Sequence, residues 1–264
     1  MARKQELTLA GKINVGFRKS IALIIFFALW QILPSAGIIN SQFIPSISDI
    51  LTTLVKLAST GELFTHVKAS LSRAMEGFAL AAVIGIPLGF LLGGWFKVLE
   101  ELIDPLLQVL AQVNPFSLLP IFILFFGIGE VAKVAIIFWV SVWPILFSTI
   151  NGVKSIDPLL VKAARAMSTP KLFLFWKVVL PGSASMIFSG IRSSVGSSFL
   201  MLVAAEMIGA SAGLGWLVLN AQNNYQISRL FAAAFTIAVL GIALTKIINF
   251  IERRVITWKE DIAV

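Results

Sequence analysis

The chain has 264 residues, 58% of them hydrophobic and 13% charged, with a mean hydropathy of +0.94. Soluble domains average about 25% charged residues, so the composition excludes an ordinary soluble enzyme and indicates an integral membrane protein. The formal charge of +8 would elsewhere suggest nucleic acid, but here the charges gather at the ends of apolar blocks, where membrane orientation accounts for them. Without cysteine, disulfides, thiolate metal sites and cysteine nucleophiles drop out. His66, the single histidine, reads as part of a polar connection and gives no basis for a metal cluster or proton relay. No catalytic residue, metal site or nucleic-acid partner is expected.

The elements follow in chain order. Residues 1–19 form a basic N-terminal segment with Arg3, Lys4, Lys12, Arg18 and Lys19. Uncharged stretches then come at Ser20–Ser48, Gly77–Phe96, Pro105–Gly129 and Val134–Val153; about 20 apolar residues cross the hydrocarbon core as helix. Gly182–Ile208, interrupted by Arg192 and Glu206, and Leu230–Ile251, interrupted by Lys246, complete six expected spans. Pro34-Ser35-Ala36-Gly37 mimics a signal-peptide cleavage site, but the apolar run resumes through Ile38 and Ile39, so the first span is expected to stay uncleaved.

Between the first two spans, Ile47, Ile50, Leu51, Leu54 and Ala58 share one helical face behind Pro45 and Ser46, which predicts an amphipathic helix lying along and covering the bundle. Gly85, Gly89 and Gly93, at intervals of four, permit close helix approach in the second span. Pro115 and Pro120 predict a kinked third span near Asn114, tolerated where the freed backbone meets protein or water.

Ser155–Pro181 is a basic elbow between apolar blocks. Asp157-Pro158 reads as a capping residue with proline at the first helical position, and Thr169-Pro170 repeats the device. The two signals predict short helices ending near Met167 and Val179. Lys154, Lys162, Arg165, Lys171 and Lys177 face one acid here, Asp157. Basic residues also cluster before the first span and after the last, at Arg253, Arg254 and Lys259, while the alternate connections are poor in them. Both termini and the elbow are therefore expected to be cytoplasmic.

In the fifth span, Ser185, Ser189, Arg192, Gly196, Val203 and Glu206 fall on one helical face. Ionisable residues inside a span are costly and face the bundle interior or water. Arg192 and Glu206 are 14 residues apart, about 21 Å along a helix, so each needs its own partner. Glu76, Arg73 and Lys133 are the candidates. Asn114, Ser189, Arg192, Gly196 and Glu206 are accordingly candidate pathway residues, against the plainer reading of structural ion pairs or of an arginine snorkelling to the interface. Asn220, Gln222, Asn223, Asn224, Tyr225 and Gln226 predict a polar outer loop over Leu219–Ser228, and Trp216 and Trp258 read as interfacial anchors.

The elbow resembles the cytoplasmic loop of ABC-importer permeases, whose pattern is Glu-Ala-Ala, three residues, Gly, nine residues, then an aliphatic residue, any residue and Leu-Pro. Ala163, Ala164, the nine residues 169–177, Val178, Leu180 and Pro181 fit it; Lys162 stands in place of Glu and Ser168 in place of Gly. Asn114-Pro115, Gly127-Ile128-Gly129-Glu130 with Lys133, Gly190-Ile191-Arg192, Ala204–Ala210 and Gly213-Leu214-Gly215-Trp216 are similar to the nitrate/sulfonate/taurine branch. The likeness covers about residues 20–258.

The resemblance implies an all-α, type I importer-like permease domain over 20–258, with a coupling loop at about 155–181 and a short tail at 259–264. It implies a multi-pass subunit of the bacterial cytoplasmic (inner) membrane, paired with a second copy or paralogue. Two cytoplasmic P-loop ATPase subunits would dock on the loops and carry the ATP and Mg; an extracytoplasmic binding protein would deliver a small anionic or zwitterionic solute. The coupling residues carried over are Asp157, Lys162, Ala163, Ala164, Arg165, Ser168 and Pro181, and Lys162 is expected to reverse the charge shown to the partner. The chain itself has no G-x-x-x-x-G-K-[ST], so no P-loop nucleotide site is expected. A self-contained secondary transporter would show internal repeats with paired broken helices, and no convincing repeat is visible. A non-transport scaffold would need neither the polar seam nor the broken third span.

Overall fold

The computed structural model describes the backbone of residues 9–256 and, within it, the side chains of 21–96 and 98–256. The expected terminal segment before residue 9, the tail 259–264 and the Trp258 anchor lie outside the described residues, as do the side chains of Lys12, Arg18 and Lys19. Every regular element among the described residues is helical, because backbone polar groups in hydrocarbon must be satisfied within the segment.

The chain opens with α1 (Leu9–Ser35), whose described side chains include an apolar stretch, Ile21–Ser35, shorter than a full crossing. Next comes α2 (Ile47–Ser59). Its start is set by a reciprocal capping box, in which Ser46 Oγ accepts from the Asp49 N–H and Asp49 accepts from the Ser46 N–H. Ile50 and Leu57 are buried on Trp30, Leu63 and Phe231, so this helix covers the bundle as its apolar face predicts. Gln31 and Ser48 tie α1 to α2, with the Ser48 N–H donating to Gln31 Oε1 at 3.1 Å.

Two long helices make the centre. These are α3 (Glu62–Phe90), prolonged by a widened π turn over Leu91–Trp95, and α6 (Glu130–Lys154). Between them α4 (Lys97–Gln112) and α5 (Pro115–Phe126) meet at 92°. The expected kink in the third span is thus a near right-angle break at Val113-Asn114, because Pro115 removes an N–H and biases Asn114 to extended backbone; Asn114 has ψ 119° and caps α5 through the Phe116 N–H at 3.0 Å.

Past α6 the elbow holds α7 (Pro158–Ala166) and α8 (Lys171–Leu174). A second π turn, Phe175–Val179, joins α8 to α9 (Leu180–Met207). The chain ends with α10 (Leu214–Asn223) and α11 (Ile227–Val255). Four helical stretches are long and apolar enough to cross a membrane: Glu62–Trp95, Glu130–Lys154, Lys171–Met207 and Ile227–Val255. A fifth exists if the bent α4–α5 pair counts as one span. The six expected spans therefore resolve, among the described residues, into four full crossings, one broken one and α1, whose side chains are described over Ile21–Ser35.

Small residues bring the central helices together. A Cβ on Gly77 would sit 2.7 Å from Ile137 of α6, and one on Gly190 of α9 would sit 2.6 Å from the Pro144 carbonyl and Ser148 Cβ, also of α6. Ala81 and Ser141 are fully buried in the same contacts. Where lipid tails are as apolar as leucine, such backbone proximity and its dispersion contacts drive association. Leu119, Ile136, Ile137, Phe199 and Leu202 fill the space where α5, α6 and α9 meet.

Candidate functional site

The elbow and a buried charge cluster occupy opposite ends of the bundle. In the elbow, Asp157 Oδ1 accepts from the Leu159 N–H at 2.8 Å and Pro158 begins α7, as the sequence predicts. The helix ends in a Schellman pattern: the Ser168 N–H donates to the Arg165 carbonyl at 2.9 Å and the Thr169 N–H to the Ala164 carbonyl at 3.3 Å. Ser168 takes the left-handed backbone, φ +56°, at the position where the resembling pattern has glycine. The serine therefore keeps the glycine geometry, at the steric cost of its Cβ.

The second helix departs from expectation. Pro170 precedes α8 without a side-chain cap from Thr169, and the helix does not stop near Val179. It widens to a π turn, with the Leu180 N–H reaching the Phe175 carbonyl, and runs on as α9. Pro181 explains the widening, since its ring lacks the N–H that an α-turn to Lys177 would need. Lys171–Met207 is consequently one rod of 37 residues.

Pro158, Val161, Lys162 and Arg165 recur at helical spacing and line an open cavity of about 1100 Å³ between α7 and the bundle, with Trp95 and Phe175 also on its wall. Glu100 at its wall pairs with Lys154 at 2.7 Å. The other face of α7 is outward and apolar, with Leu159, Leu160 and Met167 at 69%, 58% and 82% exposure, and Ala163 exposed beside them. Lys162, itself exposed, lies on the cavity side of α7.

At the far end a cluster encloses Glu206, which has no exposure at all. Arg73 Nη1 donates to Glu206 at 2.6 Å and to the Ala212 carbonyl at 2.7 Å, while Nε and Nη2 grip Glu130. Ser70 Oγ donates to Glu206 at 2.8 Å and accepts from the Leu214 N–H at 2.8 Å. The Gly215 N–H reaches Glu206 Oε2 at 2.9 Å, and Lys133 Nζ lies 3.3 Å from Glu130 and 3.4 Å from the Gly209 carbonyl. Buried charges persist only when paired and hydrogen-bonded, and each one here is. Together they pin the turn 208–213 between α3, α6 and α10. A Cβ at Gly213 (φ +127°) or Gly215 would collide with the Glu206 carboxylate or the Val203 carbonyl, so both glycines follow from the packing.

His66 belongs to this cluster, contrary to its expected place in a connection. It is buried in the second turn of α3, accepts the Gly213 N–H on Nδ1 at 3.1 Å and stacks on Trp216 with ring centres 5.1 Å apart. Trp216 is therefore a packing partner of His66. Spacing alone does not expose this role, because the partner residues lie more than 130 positions away in the chain. The one available signal is the pair of glycines after Glu206. The first half of the expected polar loop 219–228 is the end of α10, followed by a turn in which Tyr225 is 88% exposed at φ +55° and by the start of α11.

The polar seam of α9 divides in two. Ser189 and Gly196 are exposed and the Arg192 side chain is 40% exposed, while Glu206 is enclosed. Glu206 takes Arg73, one of its expected candidates. Arg192 pairs with Glu252 of α11 and not with Glu76. The two lie on helices that approach the elbow end together, whereas Glu76 sits near the Arg73 level of α3. No group of residues suited to a metal ion occurs among the described residues.

Known proteins match this chain along most of its length. Residues 85–257 match the family described as binding-protein-dependent transport system inner membrane component. A putative aliphatic sulfonates transport permease protein, SsuC, of Bacillus subtilis (strain 168) is 33% identical over 95% of this chain and 91% of its own. The nitrate import permease protein NrtB of Leptolyngbya laminosa is 32% identical over 90% and 86%, and the taurine transport system permease protein TauC of Escherichia coli (strain K12) 29% over 91% and 89%. An inward-facing structure of the MetNI methionine ABC transporter has the same fold, with a TM-score of 0.59 at 21% identity over 74% of this chain and 94% of that one. The chain belongs to the binding-protein-dependent transport inner membrane component family, as an ABC-importer permease of the nitrate/sulfonate/taurine branch.

Proposed function

We propose that the chain forms the translocation pathway of an ATP-driven importer for a small anionic or zwitterionic solute and is driven through its 155–181 elbow. As a permease subunit of its family it is not itself an enzyme; the ATPase activity lies in a partner subunit. The observation that carries the reading is the elbow's construction. A capped helix presents Leu159, Leu160 and Met167 outward, and the rod from Lys171 to Met207 runs from it to Glu206 at the far end. A push on α7 is delivered along that rod to the anchored turn 208–213.

In this assembly two ATPase subunits bind ATP and Mg, a second copy or paralogue completes the pathway, and an extracytoplasmic binding protein supplies the solute. The basic flanks support a cytoplasmic position for both termini and the elbow. Asn114 at the α4–α5 break, with the exposed seam of Ser189, Arg192 and Gly196, lines the route. Ala163 and Ala164 let the partner approach α7 closely, and Asp157, Ser168 and Pro181 set its angle to the rod. Lys162 and Arg165 border the cavity behind it and meet inner-leaflet lipid phosphates.

The test is purification of the complex with Leu160→Asp in α7 and Met167→Asp at its C-terminal cap. Loss of a co-purifying ATPase while the permease stays in the membrane is the expected result. Retention of the ATPase at the wild-type ratio with unchanged solute-stimulated hydrolysis overturns the reading.

A further inference from the structure

Three spans come to an end at the gap behind α7. Trp95 closes the stretch from Glu62, Lys154 closes the one from Glu130, and Lys171 opens the one that runs to Met207. All three residues line the open cavity of about 1100 Å³. The ends of the spans therefore set its level, at the boundary between hydrocarbon and water where tryptophan and basic residues collect. It is larger than most small-molecule sites, which run to roughly 300–1,000 Å³.

The lining has an apolar side and a charged side. On the first, Phe175 meets Phe90 edge-on, with ring centres 5.0 Å apart, and stacks on Trp95 at 6.1 Å. On the second, Lys162, Arg165 and Lys171 are exposed and make no ion pair among the described residues. Glu100 is buried and answered by Lys154 at 2.7 Å. With that pair set aside, three cations face one exposed carboxylate, Glu101. An occupant that satisfies both sides joins an apolar body to a phosphate, which Arg and Lys bind by charge-assisted hydrogen bonds.

The mechanics ask for the same occupant. α7 buries no side chain, and a push on its outward face, at Leu159 and Leu160, is directed at the cavity. Close-packed matter transmits a displacement, whereas a gap gives way.

We propose that one anionic phospholipid lodges between α7 and the bundle, its phosphate held by Lys162, Arg165 and Lys171 and its acyl chains lying on Phe90, Trp95 and Phe175. It is the wedge through which a push on α7 reaches the spans. This rests on the reading of the elbow as the docking point of an ATPase.

The assembled complex in nanodiscs of phosphatidylcholine, with phosphatidylglycerol as the probe, supplies the test. Native mass spectrometry is expected to find a single phosphatidylglycerol retained on this chain. Lys162→Ala, Arg165→Ala and Lys171→Ala together are expected to weaken retention about a hundredfold, at about fivefold for each cation beside an anionic headgroup. Gly94→Phe projects into the cavity from a position where a Cβ meets Val153 at 3.7 Å, and is expected to displace the lipid without altering a charge. Lys177→Ala, at an exposed cation of the same elbow outside the cavity, is expected to leave it bound. Phosphatidylglycerol is expected to raise solute-stimulated ATP hydrolysis several-fold in the wild type and not in the triple variant.

Retention unchanged in the triple variant, or lost equally with Lys177→Ala, overturns the proposal. Displacement by soluble glycerol phosphate overturns it in favour of a free phosphate. A triple variant that sheds the ATPase but keeps its lipid gives the three cations to the partner protein instead. Hydrolysis indifferent to phosphatidylglycerol removes the wedge. ATPase content is measured on the same preparation: a permease without an ATPase fails the importer reading, whereas an intact complex without retained lipid fails only the lipid site.

Discussion

The two polar regions of this permease are built on opposite principles. Around Glu206, every charge is answered and Arg73, Lys133 and Glu206 are buried: Arg73 takes two carboxylates and a carbonyl, and the Gly215 N–H and Ser70 complete the shell. In the elbow, Lys162, Arg165 and Lys171 make no ion pair among the described residues, and α7 buries no side chain fully. The buried cluster holds a turn in one place, because its charges bond the Ala212 and Gly209 carbonyls and the Gly215 N–H as well as one another. In the open elbow α7 is held by its Asp157 cap and its C-terminal turn, which leaves its charged side chains available to another molecule.

The contrast can be broken at its strongest point first. Glu206→Ala leaves the buried Arg73 with Glu130 as its one carboxylate and opens the fully buried Glu206 site, and breaking a buried pair costs up to about 3–5 kcal/mol; reversible unfolding in detergent should show that loss, while Lys162→Ala should shift stability by less than about 0.5 kcal/mol. Equal effects of the two substitutions would dissolve the distinction. A smaller effect is expected at Asp157→Ala, which removes the cap of α7 at about 1 kcal/mol; with no core contact to compensate, it should appear mainly as weaker stimulation of the partner ATPase. The smallest is a gain. Ser168→Gly relieves a left-handed serine by about 0.5–1 kcal/mol, read as a higher midpoint of unfolding, and no gain would mean that the αL turn of the elbow carries no strain.

Local chemistry is well expressed in the sequence. Asp157-Pro158 caps a helix where the pair stands, the Ile50 face of α2 meets the bundle, and the Gly85, Gly89 and Gly93 line meets α6. Thr169-Pro170 and Leu180-Pro181 read as the two ends of a short helix, but a π turn absorbs the missing N–H at Pro181 and lets the helix continue. His66 reads as a connection residue because its burial depends on Gly213 and Trp216, far along the chain. The break at Asn114 is visible as Pro115; its 92° angle is not, because proline removes a bond without choosing what packs beside it.

What the sequence by itself determined is the class, the helices, their caps and the elbow. These follow from apolar length, proline and capping chemistry, all of which act within a few residues. Only the tertiary structure decided which charges answer one another. Arg192 found Glu252 and Arg73 found both Glu130 and Glu206, because ion pairing requires the same depth and facing flanks of different helices, and no spacing along one chain encodes either.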